Sequence, residues 1–313
     1  MIRSLILGIL GVISANLMNL AMGQDSAKPA KSAVKQAWVT AKIEAPRVKF
    51  QSFESAAAGT KVSYHIYVPD AYENNASKRF PVVYWLHGSG GGLAGIPQVA
   101  RLFNEAIESG KIRHCLVVFV NGLVEGMYVD WKDGSAPIET IIVKELVPHI
   151  DSTYRTIATR DGRLLDGYSM GGYGAARLGF KYYDKFRAVS IMGGGPLQAE
   201  LIQAPRAGRQ RVAEVLQKVY GGDQEYFKSV SPRRLAEKNA KAIAGGSLVR
   251  VVCGEDDETF KNNIAFHEHL EKVAIPHTWK VLKGVDHNPM KTLRSLGESN
   301  WEFYRKAFGE PSN

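Results

Sequence analysis

Cysteine is nearly absent: the 313 residues contain two, Cys115 and Cys253. Each lies in or at the end of a β-branched run, "HCLVVFV" and "VRVVCG", which reads as a buried free thiol. A disulfide between them would need their Cα atoms within about 6–7 Å, which sequence alone leaves open. No Cys-x-x-Cys and no His/Cys cluster has metal-ligand spacing, so no metal site is expected. No repeat is present, and nothing in the composition suggests a collagen-like, coiled-coil or disordered chain. The formal net charge is +9, yet no nucleic-acid motif accompanies it, and the basic residues are dispersed. The expected reading is a solvated basic surface with no nucleic-acid partner.

Long apolar runs are confined to the N-terminus. "MIRSLILGILGVISANLMNLAMGQ" has a positive Arg3, an apolar stretch and small residues at Ala21 and Gly23. That pattern predicts an export signal over residues 1–23, cleaved before Gln24, and a secreted or periplasmic protein. Asn16 and Asn19 interrupt the run short of the ~20 residues that span a bilayer, so stable membrane insertion is not expected. No cysteine follows the apolar stretch, which excludes lipoprotein attachment there. Residues 24–45 read as a flexible leader, and 46–313 as one catalytic domain.

What is present is an alternation of strands and helices. "VKFQSFES" and "KVSYHIYVPD" alternate apolar and polar residues and predict an antiparallel pair at a sheet edge. "PVVYWLHG" and "CLVVFVNG" are short continuous apolar runs, as expected of strands buried on both faces. Between them, Val99, Leu102, Phe103 and Ile107 mark one helical face. Residues 135–151 predict a second helix, with Ser135 as its cap and Ile138, Ile141, Ile142 and Leu146 as its stripe. Strands follow at "RLLDG", "FRAVSIMGGG", "SLVRVVCG" and "HTWKVLKG", and "MKTLRSLGESNWEFYRKAF" predicts one closing helix. Residues 196–245 are basic, helical and strand-free, and read as a cap-like insertion over the sheet's carboxyl edge. The fold class is α/β, with a mostly parallel central sheet, helices on both faces and loops carrying chemistry at the strands' carboxyl ends.

One stretch stands out: "LLDGYSMGGYGAARLG", residues 164–179. Gly-x-Ser-x-Gly alone is a weak signal, but a predicted strand precedes it and a helix follows, as a nucleophile elbow requires. Serine needs a base, and the base an orienting acid. Of the downstream histidines, His267 and His269 fall within a predicted helix and His277 begins a strand. His287 follows a strand in a loop, and is the expected base. The acid should come from "GEDDE", where Glu255, Asp256, Asp257 and Glu258 compete. Asp286 beside His287 reads as a loop-shaping residue. The two donors of an oxyanion hole are expected at the amide of Met170 and, in the loop "LHGSGGG", at that of Ser89, with Gly90 second. The same glycine loop is a poor nucleotide site, because no acidic partner follows about 20 residues on.

With these residues in place, the chain resembles the α/β-hydrolase esterases: feruloyl esterases, esterase D and S-formylglutathione hydrolases, and antigen 85 mycolyltransferases. "YVDW", "IIVKELVPHIDSTYRT", "GYSMGGYGAARLGF", "FRAVSIMGGG", "GEDD" and "GVDH" carry the similarity, which runs from about residue 50 to residue 308. The resemblance implies an α/β-hydrolase fold and a Ser169–His287–Asp257 triad, and favours Asp257 over Asp256. It implies no cofactor and a small-molecule or polysaccharide ester as substrate, on the secreted, carbohydrate-esterase side of the family. Through "YVDW" it also suggests substrate contact by Tyr128, Asp130 and Trp131. Two features depart from the pattern: Asp166 stands where a small apolar residue is usual, and "KYYDKF" lacks a His-Pro pair. The expected activity is a serine esterase. An acyltransferase with the same triad is the nearest alternative, then a serine peptidase, for which no gating domain is present, then a non-catalytic binding module. Nothing in the sequence specifies an oligomeric state.

Overall fold

The computed structural model describes residues 36–311. The expected export signal and its cleavage position lie outside them. Strands β1 (Val48–Ser55) and β2 (Thr60–Tyr67) form the expected antiparallel edge pair, with Val48 opposite Tyr67 and Ser55 opposite Thr60. The remaining strands are β3 (Val82–Leu86), β4 (Leu116–Phe119), β5 (Arg163–Tyr168), β6 (Ala188–Met192), β7 (Leu248–Gly254) and β8 (Thr278–Leu282). Their spatial order is β1-β2-β4-β3-β5-β6-β7-β8. β2 meets β4 antiparallel, and every pair from β4 through β8 is parallel.

Burial on both faces explains the continuous apolar runs: every residue of β3, β4 and β6 is buried. On one face Val82, Tyr84, Leu86, Leu165, Val189 and Val251 belong to a single core. On the other, Val83, Trp85, Leu164, Met192 and Val252 belong to a second. Helix α1 (Ile96–Glu108) closes the second face with Val99, Phe103 and Ile107, while Leu102 is only half-buried.

Four expectations are corrected. Ser135 caps no helix: its hydroxyl donates to Asp133, and α2 begins at Ile138 after Pro137. α2 runs as α-helix over Ile138–Thr140, as π-helix over Ile141–Leu146 and as α-helix again over Val147–Thr153. The closing helix is two, α8 (Pro289–Leu296) and α9 (Glu298–Phe308), because Gly297 takes φ 52° between them. Residues 36–45 are not a free leader. Trp38 is buried, its carbonyl accepts from Ser63 N–H at 2.8 Å, and Ile43 N–H donates to His65 Nε2 at 3.0 Å.

The insertion divides in two. A loop after β6 leads into α4 (Arg209–Tyr220), then α5 (Gln224–Val230) and α6 (Pro232–Ala244). α6 buries Leu235, Ala236 and Ile243 and packs on α3 (Met170–Lys181) and on α7 (Phe260–Lys272). It is thus the crossover helix between parallel β6 and β7, and only the part before α5 forms a wall over the carboxyl edge. Cys115 and Cys253 are both free and buried. No helix among the described residues is long and apolar enough to cross a membrane.

Candidate active site

β5 ends at Tyr168 and α3 begins at Met170, so Ser169 alone turns the chain from strand to helix. It does so at φ 59°, ψ −119°, a strained conformation for a residue with a side chain. The surroundings hold it there. Ser169 N–H donates to the Met192 carbonyl at 2.9 Å, and Gly195 N–H donates to the Ser169 carbonyl at 3.1 Å. Two glycines make the turn possible. A Cβ on Gly167 would lie 2.0 Å from the Gly171 carbonyl oxygen, and one on Gly171 would lie 1.8 Å from that of Leu86.

The loops after β7 and β8 converge on Ser169. His287 Nε2 lies 2.9 Å from Ser169 Oγ, and His287 Nδ1 lies 2.8 Å from Asp257 Oδ2. With Nδ1–H donating to the carboxylate, Nε2 is left to accept from the serine hydroxyl. The other Asp257 oxygen accepts from Thr259 N–H at 2.7 Å and from the Thr259 hydroxyl at 2.6 Å. Burial alone would raise the Asp257 pKa. The hydrogen bonds from His287 and Thr259 outweigh it and hold the carboxyl below its ordinary value. Asn288 fixes the next turn, its side chain accepting from Met290 and Lys291 N–H at 3.0 Å.

The competing groups go elsewhere. Asp256 is exposed, Asp286 pairs with Lys291 at 3.0 Å, and Glu258 pairs with Arg206 at 2.7 Å. His267 and His277 bond each other at 2.8 Å, and His269 Nε2 lies 3.2 Å from the Arg233 carbonyl.

Facing Ser169 is the loop after β3. Ser89 and Met170 both line the pocket that contains Ser169 and His287. Met170 is the first residue of α3, where helix geometry leaves an amide without an intrahelical acceptor. Gly90 is outside that lining, and its N–H is already given to the Val124 carbonyl at 3.0 Å. His87, the histidine of the histidine-glycine pair that follows β3, shapes this loop. Its Nε2 accepts from Gly122 N–H at 3.2 Å, so Nδ1 carries the proton and donates to the Gly88 carbonyl at 2.7 Å. Burial lowers its pKa and keeps it neutral. The histidine-glycine pair at the strand end was the available signal.

The pocket encloses about 640 Å³. Its walls are largely apolar, with Trp85, Met127, Leu201, Val212, Val215 and Met290, and its charged groups are Glu125, Arg206 and Arg211. Tyr128, Asp130 and Trp131 do not line it, contrary to the expected substrate contacts. Tyr128 is fully buried, and its hydroxyl donates to the His87 carbonyl at 2.9 Å. The Asp130 carboxylate accepts from Thr140 N–H at 2.9 Å and from its hydroxyl at 2.6 Å, fixing the first turn of α2. Trp131 is buried in the core.

A mostly parallel sheet in this strand order, turning into a helix through a strained serine, defines the α/β-hydrolase class. Comparison with known proteins narrows the class. The chain belongs to the esterase family, whose model, described as "Putative esterase", matches residues 55–308. Among curated relatives, Esterase Rv1288 of Mycobacterium tuberculosis is 31% identical over 156 residues, which are 48% of this chain and 32% of that protein. The endo-1,4-beta-xylanase/feruloyl esterase of Xylanibacter ruminicola is 28% identical over 168 residues, 50% of this chain and 23% of that protein. The chain thus spans about a third or less of the length of these relatives. Among solved structures, a ferulic acid esterase superposes with a TM-score of 0.70 at 24% identity, covering 84% of this chain and 98% of its own.

Proposed function

We propose that the protein hydrolyses carboxylic esters through an acyl-enzyme on Ser169. One observation carries the reading: Ser169 Oγ, His287 and Asp257 form a continuous hydrogen-bonded line, at 2.9 and 2.8 Å, on the strained turn into α3. Ser169 Oγ attacks the ester carbonyl carbon as its proton passes to His287 Nε2. The amides of Met170 and Ser89 receive the developing oxyanion. Asp257, held ionised, orients the imidazole and stabilises its charged form. The tetrahedral centre collapses, the alkoxide leaves with the proton from His287, and water deacylates Ser169 by the same steps in reverse order. His87, Tyr128 and Asp130 serve as positioning residues.

The names of the relatives support a feruloyl ester of carbohydrate as substrate, and an acetyl ester is the second acyl class of this reading. The N-terminal sequence pattern supports export, and residues 46–313 serve as one catalytic domain. The test is direct. The folded protein should react with a fluorophosphonate probe at Ser169 and hydrolyse p-nitrophenyl acetate. Ser169→Ala should lose at least about 10³-fold in kcat with an unchanged circular dichroism spectrum. Retained turnover in that variant refutes the site. A panel of methyl ferulate, acetylated xylan and short- and long-chain esters, with and without a sugar acceptor, distinguishes hydrolysis from acyl transfer and ranks the acyl groups.

A further inference from the structure

Outside the catalytic pocket, two imidazoles meet between α7 and the start of β8. His267 Nδ1 lies 2.8 Å from His277 Nε2. The tautomers follow from their neighbours. His277 Nδ1 lies 2.8 Å from the Ile275 carbonyl, so it carries a proton and donates there, and its Nε2 presents a lone pair. In the neutral pair, His267 Nδ1–H donates to that lone pair. The outer nitrogen of His267, Nε2, faces Glu271 one turn further along α7, 3.8 Å from its Oε1. The His267 ring stacks on Trp279, with centroids 5.1 Å apart and planes 12° apart. Both imidazoles are half-buried, so an ion can reach them from water.

This arrangement has the parts of a metal-binding pair. Two imidazole nitrogens bound to one ion at about 2.0–2.1 Å stand roughly 2.9–3.4 Å apart for bond angles between about 90° and 110°. The observed 2.8 Å needs a small widening and a tilt of the rings. Metal-bound histidines give their other N–H to a carbonyl or a carboxylate, which fixes the tautomer and strengthens the ligand. The Ile275 carbonyl plays that part for His277, and the Glu271 carboxylate, 3.8 Å from His267 Nε2, must close by about 1 Å to play it for His267.

We infer that His267 Nδ1 and His277 Nε2 together bind one divalent transition-metal ion of the Zn²⁺, Cu²⁺ or Ni²⁺ class, with water completing its coordination. The proton on His267 moves from Nδ1 to Nε2, where Glu271 accepts its hydrogen bond, so no net proton need be released. Imidazole ligands suit these ions, and Cu²⁺ should bind most tightly. The bound ion would clamp α7, which begins just beyond Asp257, to edge strand β8.

The experiment is calorimetric titration of the tag-free full chain with CuSO₄ and with ZnCl₂, alongside tryptophan fluorescence. One equivalent should bind per chain, and Cu²⁺ should quench an emission component that Trp279→Phe lacks. His277→Ala and, independently, His267→Gln should weaken binding at least about tenfold, and Glu271→Gln should weaken it by about tenfold or more. Donor atoms of Asp257, Glu258 and His287 also lie within 4.8 Å of one another, so His287→Ala is the necessary control. It should bind as the parent does. Absence of binding by the parent, unchanged binding in the variant of either His267 or His277, or loss of the equivalent in His287→Ala would each overturn the assignment.

Discussion

Asp166, three residues before Ser169, has no access to water. It is fully buried, accepts a hydrogen bond from the Tyr304 hydroxyl, and lies 3.9 Å from an Arg250 nitrogen. Arg250 Nε donates to Ser190 at 2.8 Å, and its guanidinium lies over the Phe303 ring. Burial raises the Asp166 pKa, and the Arg250 charge offsets only part of that. A folded-state pKa above the unfolded one means stability that is present at low pH and lost as pH rises through the folded value. Arg250→Met removes the offset and lifts the carboxyl further. That variant should be less stable than the parent at pH 7, because the carboxyl must stay charged without its cation or take up a proton, and the deficit should shrink at pH 5, where protonation is easier. Urea denaturation at the two pH values measures this, and a deficit independent of pH would count against the pairing. Asp257 has the opposite sign: its depressed pKa gives stability above the ordinary carboxylate range that is lost as pH falls. The hydrogen-bonded line of Ser169, His287 and Asp257 joins residues that each follow their own strand; strand position pointed to Ser169 and His287, and the choice of Asp257 among four acids needed the family resemblance. The role of Asp166 was not legible, because Arg250 and Tyr304 come from β7 and α9, and no local pattern announces a partner so far along the chain. Asp130 was misread for a related reason: its ligand is the first turn of its own next helix, not a substrate.

At the scale of the element, helix ends decide where chemistry sits. Asn288 begins α8 and directly follows His287, and its side chain holds the amides of Met290 and Lys291. Asn288→Ala should cost about 0.5–2 kcal/mol, the usual worth of such a cap. The same loosened turn carries His287, so kcat should fall several-fold while KM changes little. Thermal melting and steady-state kinetics on p-nitrophenyl acetate check both, and an unchanged kcat would separate the cap from the imidazole's placement. Element types were readable from apolar periodicity, but element ends were less so. Gly297 splits the closing helix without disturbing the apolar period on either side. Ser135 looked like a cap by residue type, but its hydroxyl is spent on Asp133 and the Asp130 carboxylate holds the true first turn. Trp38 is the sign in the sequence that residues 36–45 pack. It is 7% exposed, with its carbonyl also accepting from Asn121 Nδ2 at 2.9 Å, and Trp38→Ala should lower stability by about 3–5 kcal/mol.

For the molecule as a whole, the mostly parallel sheet covered by helices follows from alternating short apolar runs and long amphipathic ones, which is why the fold class was legible, while the strand order was not. Nor was the pocket, since its wall is assembled from segments distant in sequence. The part of the insertion before α5 is tied to opposite rims by two ion pairs: Arg206 with Glu258, beside Asp257, at 2.7 Å, and Arg211 with Glu125 in the loop after β4. Arg206, Glu258 and Arg211 are about half exposed and Glu125 is more buried, so the pairs add little to global stability, and salt screens the Arg206 pair most. Their effect should appear in the pocket they close. Arg206→Gln combined with Arg211→Gln should raise KM for a neutral ester roughly three- to tenfold, leave kcat within about twofold, and shift Tm by less than about 2 °C. Raising sodium chloride towards 0.5 M should move the parent's KM in the same direction and the double variant's hardly at all, because a screening length of about 4 Å weakens exposed pairs. A neutral substrate removes any direct effect of salt on its charge. Equal salt dependence in parent and variant would mean that these pairs do not hold the wall, and that its closure rests on the apolar contacts of Leu201, Val212 and Val215 alone.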